Sequence, residues 1–316
     1  MESQKIKSCQ PAKPDLWNGR AGEPESSRMH QIIECVDLDK LKPADFTILG
    51  FACNEGVQRN QGRVGAKNGP EVLRRALAKF PIHSDKAPLI LDAGNIVCEG
   101  GDLEKAQEDL GKAVKKIRDS GSIPIVLGGG HEMAWGHYQG LRDLDLGIIN
   151  FDAHFDLRPL SDDEKGSSGT PFLQIAEDCE KSGKEFDYLC LGIQKAGNSR
   201  ALFLEADRLG VKYALADDFH SGHEELIRDL ILGMIERRDW IYLTICLDVF
   251  AASIAPGVSA PQVMGLQAWD VMNIIHFLAD TGKLASVDIA EMNPEYDRDG
   301  VTAQLGAHLL NQVIND

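Results

Sequence analysis

No stretch of this 316-residue chain is long and apolar enough to span a bilayer, and the first residues lack the apolar core of a secretory leader. Cys-x-x-Cys is also missing. The seven cysteines, at 9, 35, 53, 98, 179, 190 and 246, are odd in number and scattered, which excludes a disulfide-stapled secreted scaffold. Reduced thiols and a cytoplasmic location are expected. Cations are scarce: Lys plus Arg total 33 against 49 Asp plus Glu, for a formal charge of -16. That deficit excludes nucleic-acid backbones and anionic membrane surfaces as partners and leaves a small-molecule substrate. Any anionic substrate must be met by local basic residues against the overall field. Gly128-Gly129-Gly130 lacks the spacing of a dinucleotide or phosphate loop, and no P-loop lysine follows it. Its expected use is to let backbone pass close to a functional site.

What is present is alternation. Eight apolar, β-prone stretches read as strands, at 45–53, 89–93, 123–127, 146–151, 188–192, 211–216, 240–249 and 284–289. Helical patterns separate them, including 71–80, a helix capped by Asp102, and the amphipathic 224–237. Such alternation predicts an α/β fold, a mostly parallel sheet of about eight strands covered on both faces. No linker or composition shift divides the chain. Residues 1–44, polar and carrying Pro11, Pro14, Pro24 and Pro43, are expected to form an irregular arm packed on a single domain of 45–316.

In open parallel sheets the chemistry gathers at the carboxyl ends of the strands. Asn150-Phe-Asp152-Ala-His154-Phe-Asp156 closes the strand at 146–151, and on extended backbone alternate side chains share a face. Asp152 and His154 therefore point together, with Asp156 following. His131 follows the third strand, Cys246 and Asp248 end the seventh, and Glu291 follows the last. His131, Asp152, His154, Asp156 and Asp248 suit two hard divalent ions, and oxygen-rich ligation with imidazoles favours manganese. A pair of ions roughly 3.5–4 Å apart can lower the pKa of a shared water. Glu291 lies beyond them, placed to grip a cationic group.

These motifs resemble the arginase/agmatinase superfamily of ureohydrolases. The matching stretches are Gly-Gly-Gly-His131-Glu132, Asp152-Ala-His154-Phe-Asp156, Leu247-Asp248 through Ala255-Pro256-Gly257, and Glu291-Met-Asn293-Pro294, in the family's order. The resemblance implies a three-layer α/β/α fold, a binuclear Mn2+ centre and hydrolysis of guanidino or amidino C–N bonds. Arg59-Asn60-Gln-Gly62-Arg63-Val-Gly65-Ala66 and Ala255-Pro-Gly-Val-Ser-Ala-Pro261 extend it toward members that release L-glutamate and formamide from N-formimidoyl-L-glutamate during histidine breakdown. Agmatinase-like members carry a histidine before Gly-Thr-Pro-Phe; Ser168 stands there in this chain, against agmatine and arginine as substrates. The alternatives are a related guanidino-acid hydrolase and a metal-poor pseudoenzyme acting as a binding subunit.

On this likeness His131, Asp152, His154, Asp156, Cys246 and Asp248 are the expected metal ligands. Asp156 is the expected proton carrier and Glu291 the amidinium partner. Asn60, Arg63 and Asn198 are expected to hold the substrate's carboxylates, and a homo-oligomer is expected. The family pattern at the seventh strand is Asp-x-Asp, but here it reads Cys246-Leu-Asp248. A thiolate is softer than a carboxylate and offers one donor atom, so Cys246 is expected to weaken the site shared with Asp248 and His154. Cys246 is also a candidate redox switch, with Cys35 or Cys53 as its partner.

Overall fold

In a computed structural model of the protein, described over residues 6–84, 86–220 and 222–315, the chain forms one ten-stranded sheet. The strands are β1 Cys9–Gln10, β2 Ile33–Cys35, β3 Phe46–Ala52, β4 Ile90–Val97, β5 Ile123–Gly128, β6 Leu146–Phe151, β7 Asp187–Ile193, β8 Lys212–Leu215, β9 Trp240–Cys246 and β10 Leu284–Ala290. Their order is β1-β4-β3-β5-β10-β9-β6-β7-β8, with β2 also on β4. All pairings are parallel except β1 with β4. The eight strands expected from hydropathy are all present. The seventh is shorter than its apolar run, because Leu247–Val249 turns into a 3-10 helix that carries Asp248 off the strand end.

The helices are α1 Met29–Ile32, α2 Glu55–Arg59, α3 Gly69–Leu77, α4 Leu103–Asp119, α5 Met133–Gln139, α6 Pro171–Ser182, α7 Arg200–Arg208, α8 Glu224–Arg237, α9 Ala268–Asp280 and α10 Val301–Ile314. They cover both faces. One hydrophobic core gathers residues of α3, α8, α9 and α10; the other gathers residues of α4, α5, α6 and α7. In β6, Leu146 and Ile148 join the second core while Ile149 and Phe151 join the first, the period-two alternation of a strand buried on both sides. Asp102 caps α4 as its position suggested, accepting from the Lys105 amide at 3.0 Å. The short α2 leads into the segment that carries Asn60 and Arg63.

Where an irregular arm was expected, β1 and β2 lie end to end along the outer side of β4 and pair the groups an edge strand would leave bare. Side chains fasten the arm as well. Trp17 donates to Asp92 at 2.8 Å, and Asp92 also receives the fully buried Arg74 guanidinium through two bonds of 2.9 and 2.8 Å. Arg74 bonds onward to Asn95 and to the Gly94 carbonyl, so α3, β4 and the arm meet at one ion pair. Such a pair is costly to break one-sidedly, because the surviving charge stays buried. Asp92→Ala is expected to lower stability by about 3–5 kcal/mol, read from the shift of the urea unfolding midpoint.

Candidate metal centre

Four adjacent central strands, β5, β10, β9 and β6, deliver the polar groups. His131 follows β5, Glu291 follows β10, Cys246 and Asp248 end β9, and Asp152, His154 and Asp156 end β6. The close approach of the β5 end to its neighbours explains the glycines. A Cβ on Gly129 would stand 2.3 Å from the Cys53 carbonyl oxygen, and one on Gly128 would stand 2.8 Å from that of Ile289. These glycines make room for the backbones of flanking strands rather than for a ligand. They seat His131 at full burial.

Two groups of three donors share Asp152. One is His131, Asp152 and Cys246; the other is Asp152, His154 and Asp248; within each group the donor atoms lie within 4.8 Å of one another. Asp156 joins the first group, 3.0 Å from His131 Nδ1. Cys246 thus stands with His131, not with Asp248 and His154 as expected, because Asp248 sits in the 3-10 turn beyond the strand and Cys246 on the strand itself. His131 Nδ1 is 2.9 Å from Asp152 Oδ2 yet hydrogen-bonds to neither acid, while its Nε2 meets Thr244 Oγ1 at 3.0 Å. The Thr244 contact at Nε2 leaves Nδ1 as the ring nitrogen that faces the acid cluster, the one that would ligate a cation once deprotonated. Asp248 Oδ1 and Glu291 Oε2 are likewise buried without a partner. This donor set fits a cation.

Without a cation the imidazoles supply the positive charge. Burial opposes charging His131, but the carboxylates of Asp152 and Asp156 prevail and hold its pKa well above the ordinary value. His154 is raised in the same way against burial, by Asp248 and Asp152. Asp152 feels the same burial, overcome by both imidazoles, and is held low. Asp156 is pushed up to about 6 by burial and by the Asp152 charge. Burial, with Glu132 and Asp248, also raises Glu291.

Asp156 and Glu291 both sit in the left-handed region, at φ 50 and 67. Non-glycine residues hold that conformation when their surroundings impose it. The Glu291 amide donates to the Gly129 carbonyl at 2.9 Å, and Glu291 Oε1 accepts from the His131 amide at 2.8 Å, which leaves its second oxygen buried and unpartnered. Behind Thr244 lies a buried network that spacing alone did not reveal. Tyr242 donates to Asp288, whose same oxygen meets His137 Nδ1 at 2.7 Å, and His137 Nε2 meets Ser286 Oγ at 2.6 Å. His137, on α5, is thus fully buried and paired through both ring nitrogens.

The centre opens into a cavity of about 460 Å³ bordered by Asn60, Asn198, Arg59 and Arg158 among others. Of the expected carboxylate binders, Asn60 lines this cavity with its amide on Ser168 Oγ at 3.1 Å. Asn198 borders it but spends its side chain on backbone: its Nδ2 donates to the Ala153 and Gln194 carbonyls and its Oδ1 accepts from the Phe155 amide. It positions the metal loop. Arg63 is a correction. Its guanidinium donates to the Val258 carbonyl at 2.6 Å and the Ser259 carbonyl at 3.2 Å, stacks 4.1 Å over Tyr296, and does not border the cavity.

The suggested thiol partners of Cys246 also part company with it. Cys35 lies on β2, five strand steps from β9, or roughly 24 Å at the spacing of a sheet. Cys53 faces Cys98, its counterpart one residue beyond the Ala52–Val97 register pair. All seven cysteines are free thiols.

Comparison with known proteins adds a lineage to this geometry. Residues 44–315 match the model of the Arginase family. A formimidoylglutamase of Legionella pneumophila is 43% identical over 319 residues, covering 98% of both chains. One from Ralstonia nicotianae is 42% identical over 316 residues, 96% of each. Among solved structures, a formiminoglutamase of Trypanosoma cruzi crystallised with Mn2+ superposes with a TM-score of 0.77 at 27% identity, covering 86% of this chain and 92% of its own.

With the pKa of each imidazole raised by its carboxylate neighbours, a divalent ion displaces protons to bind. Affinity for Mn2+, followed by titration calorimetry, is expected to rise with pH by about tenfold per unit for each proton displaced. Proton release should appear as a dependence of the measured heat on buffer ionisation.

Proposed function

The chain belongs to the arginase family, and from that premise we propose that it hydrolyses N-formimidoyl-L-glutamate to L-glutamate and formamide with a binuclear manganese centre, a step of histidine breakdown. The observation that carries this reading is the buried, unpartnered oxygen of Glu291, a residue that borders the same cavity as both donor groups sharing Asp152. A buried carboxylate oxygen in that place suits the cationic amidinium of a formimidoyl group. His131, Asp152 and Cys246 would hold one ion, with Asp156 alongside; Asp152, His154 and Asp248 would hold the other. Manganese is favoured over zinc by the share of carboxylate among these donors. When bound, the ions supply Lewis acidity, lowering the pKa of water and neutralising charge that develops on the reacting centre.

The chain's own residues then do the rest. Glu291 orients the amidinium so that the formimidoyl carbon faces the nucleophile. Asp156, in the same cavity, accepts the proton that water loses and returns it to the departing glutamate nitrogen. Oxygen bonds to the carbon, the C–N bond to glutamate breaks, and formamide and glutamate are released in balance. Ser168, small and nine per cent exposed, stands at the cavity wall where agmatinase-like enzymes place a histidine, leaving Asp156 as the proton carrier. The free thiols are in keeping with a cytoplasmic enzyme.

The deciding assay incubates the Mn2+-loaded protein with formimidoylglutamate and, separately, with agmatine and guanidinobutyrate. Glutamate and formamide are expected from the first and no urea from the others; urea release with no turnover of formimidoylglutamate would replace this reading. Glu291→Gln should lower kcat/KM by about 10²- to 10³-fold, since it removes a charge aimed at the reacting group. Cys246→Asp should raise manganese content per chain after dialysis against a fixed free Mn2+ level. Equal content in both proteins would show that the thiol is no handicap.

A further inference from the structure

We propose that Arg158 is the anchor for a substrate carboxylate and the residue that selects an anionic amidine over a cationic one; this rests on the formimidoylglutamate reading above. The argument begins with charge. The cavity carries Asp156, Asp248 and Glu291, and the chain is strongly acidic overall, so a substrate with two carboxylates is repelled unless a fixed cation meets it. Three arginines lie near. Arg59 is already spent, bonded to Glu55, Glu104 and the Gly166 carbonyl. Arg63 is spent on the 258–259 backbone. Arg158 borders the cavity and makes no side-chain hydrogen bond or ion pair with any described residue.

Its position is nevertheless built. Arg158 follows Asp156 by two residues, so it leaves the same loop that carries the proton carrier. Its amide donates to the Gly169 carbonyl at 2.9 Å, which ties that loop to the segment holding Ser168. The side chain then lies across Gly169: a Cβ there would stand 2.7 Å from Arg158 Cδ, 3.2 Å from its Nε and 3.2 Å from Asn60 Nδ2. Absence of a side chain at 169 is what lets the guanidinium and the Asn60 amide share this wall. Asn60 uses one N–H on Ser168 and keeps the other. A guanidinium fork beside a free amide N–H matches the two oxygens of a carboxylate.

The test compares wild type with Arg158→Met, Arg158→Lys and Gly169→Ala, each loaded with Mn2+ and checked for manganese content and far-UV dichroism. For Arg158→Met, KM for formimidoylglutamate and the inhibition constant of L-glutamate should both rise about 10- to 100-fold, with kcat changing far less. Arg158→Lys should recover part of the loss, and Gly169→Ala should shift KM in the same direction with arginine intact. Unchanged KM and inhibition constants in Arg158→Met would overturn the anchor while leaving the proposed reaction in place. If wild type fails to turn over formimidoylglutamate, that reaction falls instead, and calorimetric binding of L-glutamate still decides the anchor. Affinity lost in Arg158→Met upholds it; equal or absent binding in both proteins overturns it.

Discussion

The burial of Asp152 between two imidazoles is the constraint on which the centre depends. A carboxylate with no exposure, beside Asp156 and Asp248, is tolerable only if positive charge accompanies it. Asp152 takes part in both donor groups and also accepts the His154 amide at 2.8 Å and an amide N–H of Asn150 at 3.2 Å. It therefore fixes backbone and cation sites at once. The sheet supplies the rest of the answer by stacking His131 and His154 on either side. In cation-free protein their protons play the part that metal plays when bound. The centre is a charge trap set for a dication, built inside a molecule already rich in negative charge.

Geometry around that trap is enforced by bonds between segments distant in sequence rather than by local preference. Glu291 holds a left-handed backbone because its amide and its carboxylate are both tied to the 129–131 segment. Asp156 holds the same region with its carbonyl accepting from the Phe172 amide at 3.3 Å. Behind His131, the route through Thr244 reaches a buried cluster of Tyr242 on β9, Asp288 on β10 and His137 on α5. His131 is held through its amide by Glu291 beyond β10 and through its ring by Thr244 on β9, so its orientation is a property of the sheet.

Much of this was legible in the chain. Hydropathy located the eight main strands, and the rule that chemistry sits at strand ends brought His131, Asp152, His154, Cys246, Asp248 and Glu291 together. The failures share one cause. Arg63 stands in a glycine-rich loop and looks free, but its carbonyl acceptors lie about two hundred residues onward, at Val258 and Ser259. Asn198 likewise looks available until its contacts with Ala153 and Phe155 are seen. Arg158 carries no signal in the sequence, because the role proposed for it depends on Gly169, a residue whose contribution is empty space. Cys246 and Asp248 stand two apart in an apparent strand and so look like one ligand pair, but Asp248 lies in a 3-10 turn and the two fall in different donor groups.

The four strands that carry the reactive groups are neighbours at the middle of the sheet, whereas the cavity rim is built from connecting segments around residues 59–62, 158–168, 197–202 and 259–260. Central strands resist change because both faces are packed. Connecting segments accept replacement and insertion far more readily. A descendant lineage can therefore trade one rim for another, and with it the length and charge of what it admits, while inheriting the same hydrolytic heart. The architecture separates what evolves slowly from what evolves fast.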